Sequence, residues 1–155
     1  MQPITLDAKD RAILRLLQLE GRLSNAELAE RVHLSASACL RRVRALEESG
    51  LIASYATLLD QKRAGFDGNA FVQVTLDGQG RASLDAFEAA VKQVSQILEC
   101  WLLAGQADYL LRVVFRDTTD LERMHAEIIT QLPHVVRVQS TLTLRTVKKT
   151  TALPV

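Results

Sequence analysis

Ser24-Asn25-Ala26-Glu27-Leu28-Ala29-Glu30-Arg31-Val32-His33-Leu34-Ser35 is the stretch that settles how the chain folds. Ser24 or Asn25 can cap a helix, and Glu27, three residues after Ser24, completes a capping box. Ala29 is small where two helices must cross closely. His33 falls at the turn, and histidine is among the few residues other than glycine enriched at positive φ. It is read as a turn residue without chemistry of its own. Leu34 is the apolar plug after the turn, and Ser35 is a second N-cap. A second helix is then expected over 36–49, burying Leu40, Val43 and Leu46. The pattern of cap, helix, turn, cap and helix is that of a helix-turn-helix.

Upstream, Ile13, Leu14 and Leu17 recur at helical spacing, so the first 50 residues read as helices throughout. The second helix of the motif carries Ser37, Arg41, Arg42 and Arg44 on its other faces. Between Arg22 and Arg44 five arginines stand against Glu27 and Glu30, a local excess of three positive charges on a chain of net charge +1. Taken alone, the arginines read equally well as a solvated helix face. Within the complete motif they favour DNA, because a serine-bearing helix N-terminus can approach phosphates or base edges and arginine can contact guanine or backbone. The candidate DNA-contacting residues are Ser24, Asn25, Ser35, Ser37, Arg41, Arg42 and Arg44.

After Gly50 the pattern changes. Residues 52–59 look strand-like, and 60–69 carry two glycines and four charges, which suggests a linker. The expected division is residues 1–59, a linker at 60–69, and a second domain over 70–155. Of seven aromatic residues only Tyr55 lies in the first 60. Beyond the linker a strand at 71–76, a helix at 83–94, strands at 97–103 and 109–115, a helix at 121–132 and a strand at 135–147 follow one another. This order is the split βαβ, or ferredoxin-like, arrangement. The fold class is therefore α+β, an N-terminal helix-turn-helix domain (winged-helix-like) followed by a ferredoxin-like βαββαβ domain. Two helices cover one face of a four-stranded sheet. Leu110-Leu111 and Val113-Val114-Phe115 suggest apolar side chains on both faces, so a second copy is expected to cover the open one.

With 155 residues, 48% hydrophobic and 24% charged, the chain has globular composition and is too short for separate cofactor and substrate domains. No apolar run reaches the roughly 20 residues needed to cross a bilayer. Met1-Gln2-Pro3-Ile4-Thr5 lacks the layout of a signal peptide. Cys39 and Cys100 are too few for a disulfide framework, which points to a reducing cytoplasm. Both read as buried, inert thiols, and His33, His125 and His134 show no metal spacing with them. No glycine-rich phosphate loop and no Ser/His/Asp set is present. Neither an enzyme, a metal, a cofactor nor a membrane partner is expected.

Together these residues resemble the leucine-responsive regulator (Lrp/AsnC) family of transcription factors. The resemblance runs through Leu6-Asp7-x-x-Asp10-x-x-Ile13-Leu14, Gly21-Arg22-Leu23-Ser24-Asn25-x-Glu27-Leu28-Ala29 and Cys39-Leu40-x-Arg42-Val43-x-x-Leu46-Glu47-x-x-Gly50-Leu51-Ile52. It continues in Glu99-Cys100 and Gly105-Gln106-Ala107-Asp108-Tyr109-Leu110-Leu111. The family often has Gly where His33 stands and Pro where Ala36 and Ala38 stand. The resemblance implies binding to a double-stranded DNA operator, a C-terminal effector (RAM) domain, and homodimers that assemble to octamers. The ending Thr150-Thr151-Ala152-Leu153-Pro154 looks like that of regulators controlling amino-acid catabolism or export.

Gly105, in the loop between the second and third strands, lets backbone approach a ligand, and N–H groups there can hold a carboxylate. Asp108 can receive an α-ammonium. From the residues alone, a tight hairpin with Asp108 capping its own turn is the plainer reading. The resemblance implies instead that Gly105, Gln106, Ala107, Asp108 and Tyr109 form an amino-acid pocket at the dimer interface, and that Thr141, Leu142 and Thr143 affect the effector response. Apolar strand residues nearby suggest leucine or another aliphatic amino acid. Two rival functions fit a chain of this kind. An RNA-binding module needs stacking aromatics on the central strands, where 108–115 is mainly aliphatic. A regulatory amino-acid-binding subunit of an enzyme, without DNA binding, is the other.

Overall fold

The computed structural model describes residues 5–155, so the reading of residues 1–4 as free of a signal peptide lies outside the described residues. The chain divides into two compact units. One comprises residues up to Leu58 together with Lys148–Val155, and the other Leu59–Val147. The C-terminal eight residues therefore pack with the N-terminal helices.

The first unit holds α1 (Ala8–Leu19), α2 (Asn25–Arg31) and α3 (Ala36–Glu48). Each begins at a side-chain cap. The Asp7 carboxylate accepts the N–H groups of Lys9 and Asp10, and Asp10 returns a bond to the Asp7 N–H. Ser24 and Glu27 form the expected reciprocal box on α2. Ser35 Oγ accepts the Ala38 N–H at 3.2 Å to start α3. The turn between α2 and α3 passes through His33 at φ 54°, in the left-handed region, as the motif requires. Gly50, at φ 76°, closes α3 where a side chain would strain the backbone.

The core of this unit gathers Ile13, Leu14, Leu28, Ala29, Val32, Cys39 and Leu46. Here the structure corrects the seam expected for α3. Cys39 is fully buried, whereas Leu40 is 38% exposed. At about 100° per residue, positions 39, 43 and 46 share a narrow arc and position 40 lies about 60° beyond it. The terminal segment completes the unit. The Gln18 amide brackets Leu153, accepting its N–H at 2.6 Å and donating to its carbonyl at 3.1 Å. Arg15 donates to the Val155 carbonyl, and Val155 packs on the core. Residues 52–59, expected to be strand-like, form no strand.

The second unit is a four-stranded antiparallel sheet in the order β2-β3-β1-β4, with β1 at Gly68–Leu76, β2 at Ile97–Leu102, β3 at Tyr109–Phe115 and β4 at Val135–Leu142. Gly68 and Asn69, placed in the linker by the sequence reading, open β1. The final strand ends at Leu142, five residues before its expected end. Beyond Leu142 the Thr143 N–H still donates to the Asn69 carbonyl at 3.0 Å, and Leu144 and Val147 are exposed.

Two helical segments cover one sheet face: α4 (Arg81–Val91) and α5 (Thr118–Arg123), the latter continued by a π-turn at Met124–Ile128 and a 3₁₀ turn at Ile129–Gln131. Phe87, Val91, Met124, Ile129 and Leu132 pack against Ala70, Val72, Val74, Tyr109, Leu111, Val113 and Phe115. The strand register puts Phe71, Trp101 and Leu110 on the opposite face with Gln73, Glu99, Arg112, Arg137, Gln139 and Thr141. That face is thus mixed rather than apolar throughout, because Arg112 alternates with the leucines and valines of β3. Its guanidinium is engaged: Nε donates to Glu99 at 2.7 Å and Nη1 to Asn69 at 3.3 Å.

Candidate DNA-binding face and ligand loop

The seven residues expected to contact DNA separate into two groups. Ser37, Arg41 and Arg44 are exposed on one side of α3, around a shallow depression that Leu40, Ala45 and Glu48 complete. Neither Arg41 nor Arg44 has an ion-pair partner among the described residues. No carboxylate among the described residues pairs with these two guanidiniums, which suits them to phosphate or guanine.

The other four hold the motif together. Arg42 Nη1 donates at 2.7 Å to both Asp7 and Asp10, pinning α3 to the start of α1. The Asp7 carboxyl is held below its ordinary value chiefly by the Asp10 N–H, with Arg42 adding to the effect. Asn25 donates to the Ala36 carbonyl at 2.8 Å, tying α2 to the first turn of α3. Ser24 and Ser35 are occupied as caps, Ser24 also donating to Glu27. Arg42, expected to contact DNA, thus commits its Nη1 to the two aspartates. The signal was in the sequence: Asp7 and Asp10 supply two carboxylates at helix-start spacing, able to draw in one guanidinium.

The ligand-loop candidates also divide. Gly105 and Gln106 are exposed, and their N–H groups find no acceptor among the described residues. Asp108 points inward and is only 5% exposed. Its Oδ2 accepts the Leu76 N–H at 2.8 Å and its Oδ1 accepts from Gln79 at 2.7 Å. Its backbone is held too, through Asp108 N–H to Val74 and Leu103 N–H to Asp108. Asp108 therefore anchors the loop to β1 and to the β1–α4 turn, rather than lying open to an ammonium as expected. Ala107 and Tyr109 are buried as well. The Tyr109 ring lies 4.5 Å from that of Phe87, and its hydroxyl donates to Glu88 at 2.8 Å. Burial, reinforced by Glu88, pushes the Tyr109 hydroxyl up. Beside it, the Cys100 thiol is pushed up to about 11, mainly by burial. A thiol kept protonated is a poor nucleophile.

Thr141, Leu142 and Thr143 pair with the Asn69–Phe71 end of β1, whereas the loop is tied to Val74 and Leu76. Three residues of strand, about 10 Å, separate the two groups. One copy of the chain does not bring them together. Gln79 was missed by the sequence reading. Its side chain meets Asp108 across 29 positions, and no local pattern announces such a contact.

A helix-turn-helix with two exposed arginines on its second helix, followed by an α+β unit, has the architecture of a DNA-binding regulator. Residues 69–153 match the Lrp/AsnC ligand binding domain and residues 6–53 the winged helix-turn-helix DNA-binding domain. The chain belongs to the Lrp/AsnC family of transcriptional regulators. It is 43% identical over 145 residues to a leucine-responsive regulatory protein of Rhizobium meliloti, covering 94% of this chain and 93% of that one. Among solved structures it is similar to a transcriptional regulator of Neisseria meningitidis in complex with L-methionine, at TM-score 0.92 and 37% identity over 97% of both chains. It is also similar to a feast or famine regulatory protein of M. tuberculosis complexed with L-methionine, at TM-score 0.82 and 31% identity over 94% of this chain and 96% of that one. No helix among the described residues is long and apolar enough to cross a membrane.

Proposed function

We propose that the protein regulates genes of amino-acid metabolism or transport in the cytoplasm, binding a double-stranded operator through Ser37, Arg41 and Arg44 and responding to a free aliphatic amino acid. The observation that carries the DNA contact is the exposed pair Arg41 and Arg44 on a capped second helix, beside an Arg42 already neutralised by two aspartates. A gel-shift titration with the DNA upstream of its own reading frame tests it. A shift that weakens steeply with salt is expected. No shift, with amino-acid binding retained, would favour an enzyme's regulatory subunit instead.

The effector carboxylate is received by the Gly105 and Gln106 N–H groups, on a loop whose shape Asp108 fixes. Thr141, Leu142 and Thr143 come from a second copy, since one copy holds them about 10 Å from the loop. Leucine and methionine are the first ligands to test, methionine because two similar structures carry it. The sheet face bearing Phe71, Trp101 and Leu110 seats a second copy in a dimer, and dimers assemble to an octamer. Because the site spans copies, a ligand that binds one arrangement better than another shifts the spacing of the two α3 helices. Calorimetric titration at millimolar amino acid, with Asp108→Ala as control, checks the pocket. Absence of any heat with all twenty amino acids would dismiss it. Sedimentation of the full chain should give at least a dimer at micromolar concentration.

A further inference from the structure

Leu40 lies at the edge of the α3 face that carries Ser37, Arg41 and Arg44, between that face and the side turned toward Leu28 and Val43. It is 38% exposed, while Cys39 beside it is fully buried. Its neighbours around the surface depression are Ser37, Arg41 and Arg44. Leucine is usually an inward residue, and one left among two unpaired guanidiniums gains nothing from water.

The major groove offers such a side chain one partner. Base edges there present hydrogen-bond donors and acceptors, and the thymine 5-methyl is the apolar group among them. Ser37, Leu40 and Arg44 succeed one another at spacings of three and four residues, about 4.5–6 Å along the helix axis. A groove that admits the arginines therefore brings Leu40 to the same or an adjacent base pair. We infer that Leu40 is a specificity-determining residue that reads a thymine 5-methyl in each operator half-site, next to the base or phosphate taken by Arg41 or Arg44. The inference rests on the DNA-binding reading of α3.

The test uses the full chain and a duplex that it selects from a random-sequence pool. Each thymine of the selected site is replaced singly by deoxyuridine, which removes the methyl and keeps every hydrogen-bonding group. One replacement per half-site should weaken binding about fourfold, the worth of one buried methyl. Leu40→Ala should bind thymine and deoxyuridine duplexes alike, with thermal melting confirming that it folds. The wild-type comparison stands even if that variant fails to fold. The inference is overturned if every replacement is neutral, if the selected half-site holds no thymine, or if Leu40→Ala keeps the discrimination. It is also overturned if Leu40 instead joins copies of the chain, seen as a changed sedimentation of Leu40→Ala with no effect of deoxyuridine on the parent. Failure to select any duplex would strike the DNA reading itself, a different result from binding without methyl discrimination.

Discussion

Arg41, Arg42 and Arg44 look alike in a charge count but differ in what surrounds them. Arg42 joins α3 to both carboxylates at the start of α1, whereas Arg41 and Arg44 face solvent. Arg42→Ala should lower the melting temperature of the N-terminal unit. Arg41→Ala and Arg44→Ala should leave stability within about 0.5 kcal/mol, while costing roughly 1–3 kcal/mol of operator binding or flattening its salt slope. Thermal melts beside binding isotherms at several salt concentrations separate these outcomes, and equal melting of all three variants would contradict the roles assigned. The same staple responds to acid. The Asp7 carboxyl lies below its ordinary 3.8 in the folded chain, held by the Asp10 N–H and then by Arg42, so the unfolded chain takes up its proton first as pH falls. Its stabilising contribution is complete above the unfolded value, and is lost as pH drops through the folded one. Glu27 is lowered likewise, first by the Ser24 hydroxyl. The urea midpoint should therefore fall below about pH 4, and Asp7→Asn should make that fall shallower. A parallel pH profile for Asp7→Asn would count against the assignment.

Strand β1 begins where a glycine is required for space. A Cβ on Gly68 would lie 2.1 Å from Cζ of Phe115, its register partner on β3. The ring fills the volume that a side chain at position 68 would occupy. Gly68→Ala should destabilise the second unit by about 1–3 kcal/mol through overpacking. In a Phe115→Ala background the same change should cost far less, because the ring is gone. Denaturant unfolding of the four variants measures this coupling, and additive costs would show that Gly68 matters for some other reason. For α3, the cap at Ser35 was legible from residue type and spacing. Its buried side was not, since Cys39 and Leu40 are adjacent apolar residues and only packing against α1 and α2 decides which turns inward.

The path of the chain end was the least expected feature. Residues Lys148–Val155 leave the sheet unit and join the N-terminal helices through Gln18, Arg15 and the packing of Val155. Deleting them should lower the stability of the N-terminal unit while leaving the unfolding of the sheet unit unchanged. Limited proteolysis or hydrogen exchange resolved by segment reads the two separately. Equal protection of α1 with and without the tail would show that the strap contributes nothing.

Periodicity, caps and turn residues act between neighbours a few positions apart. From them alone the sequence specified three N-terminal helices, the left-handed turn at His33, the alternation of strands and helices after residue 68, and the exposed arginines of α3. Contacts between distant positions obey no such local rule. The commitment of Arg42 to Asp7 and Asp10, the inward turn of Asp108 toward Leu76 and Gln79, and the early end of β4 each depend on what another segment presents once the chain has closed. Aspartate in a glycine-bearing loop is equally suited to a ligand or to a buried backbone N–H. The choice fell to β1, which brings the Leu76 N–H within 2.8 Å of the carboxylate and shuts it away from solvent.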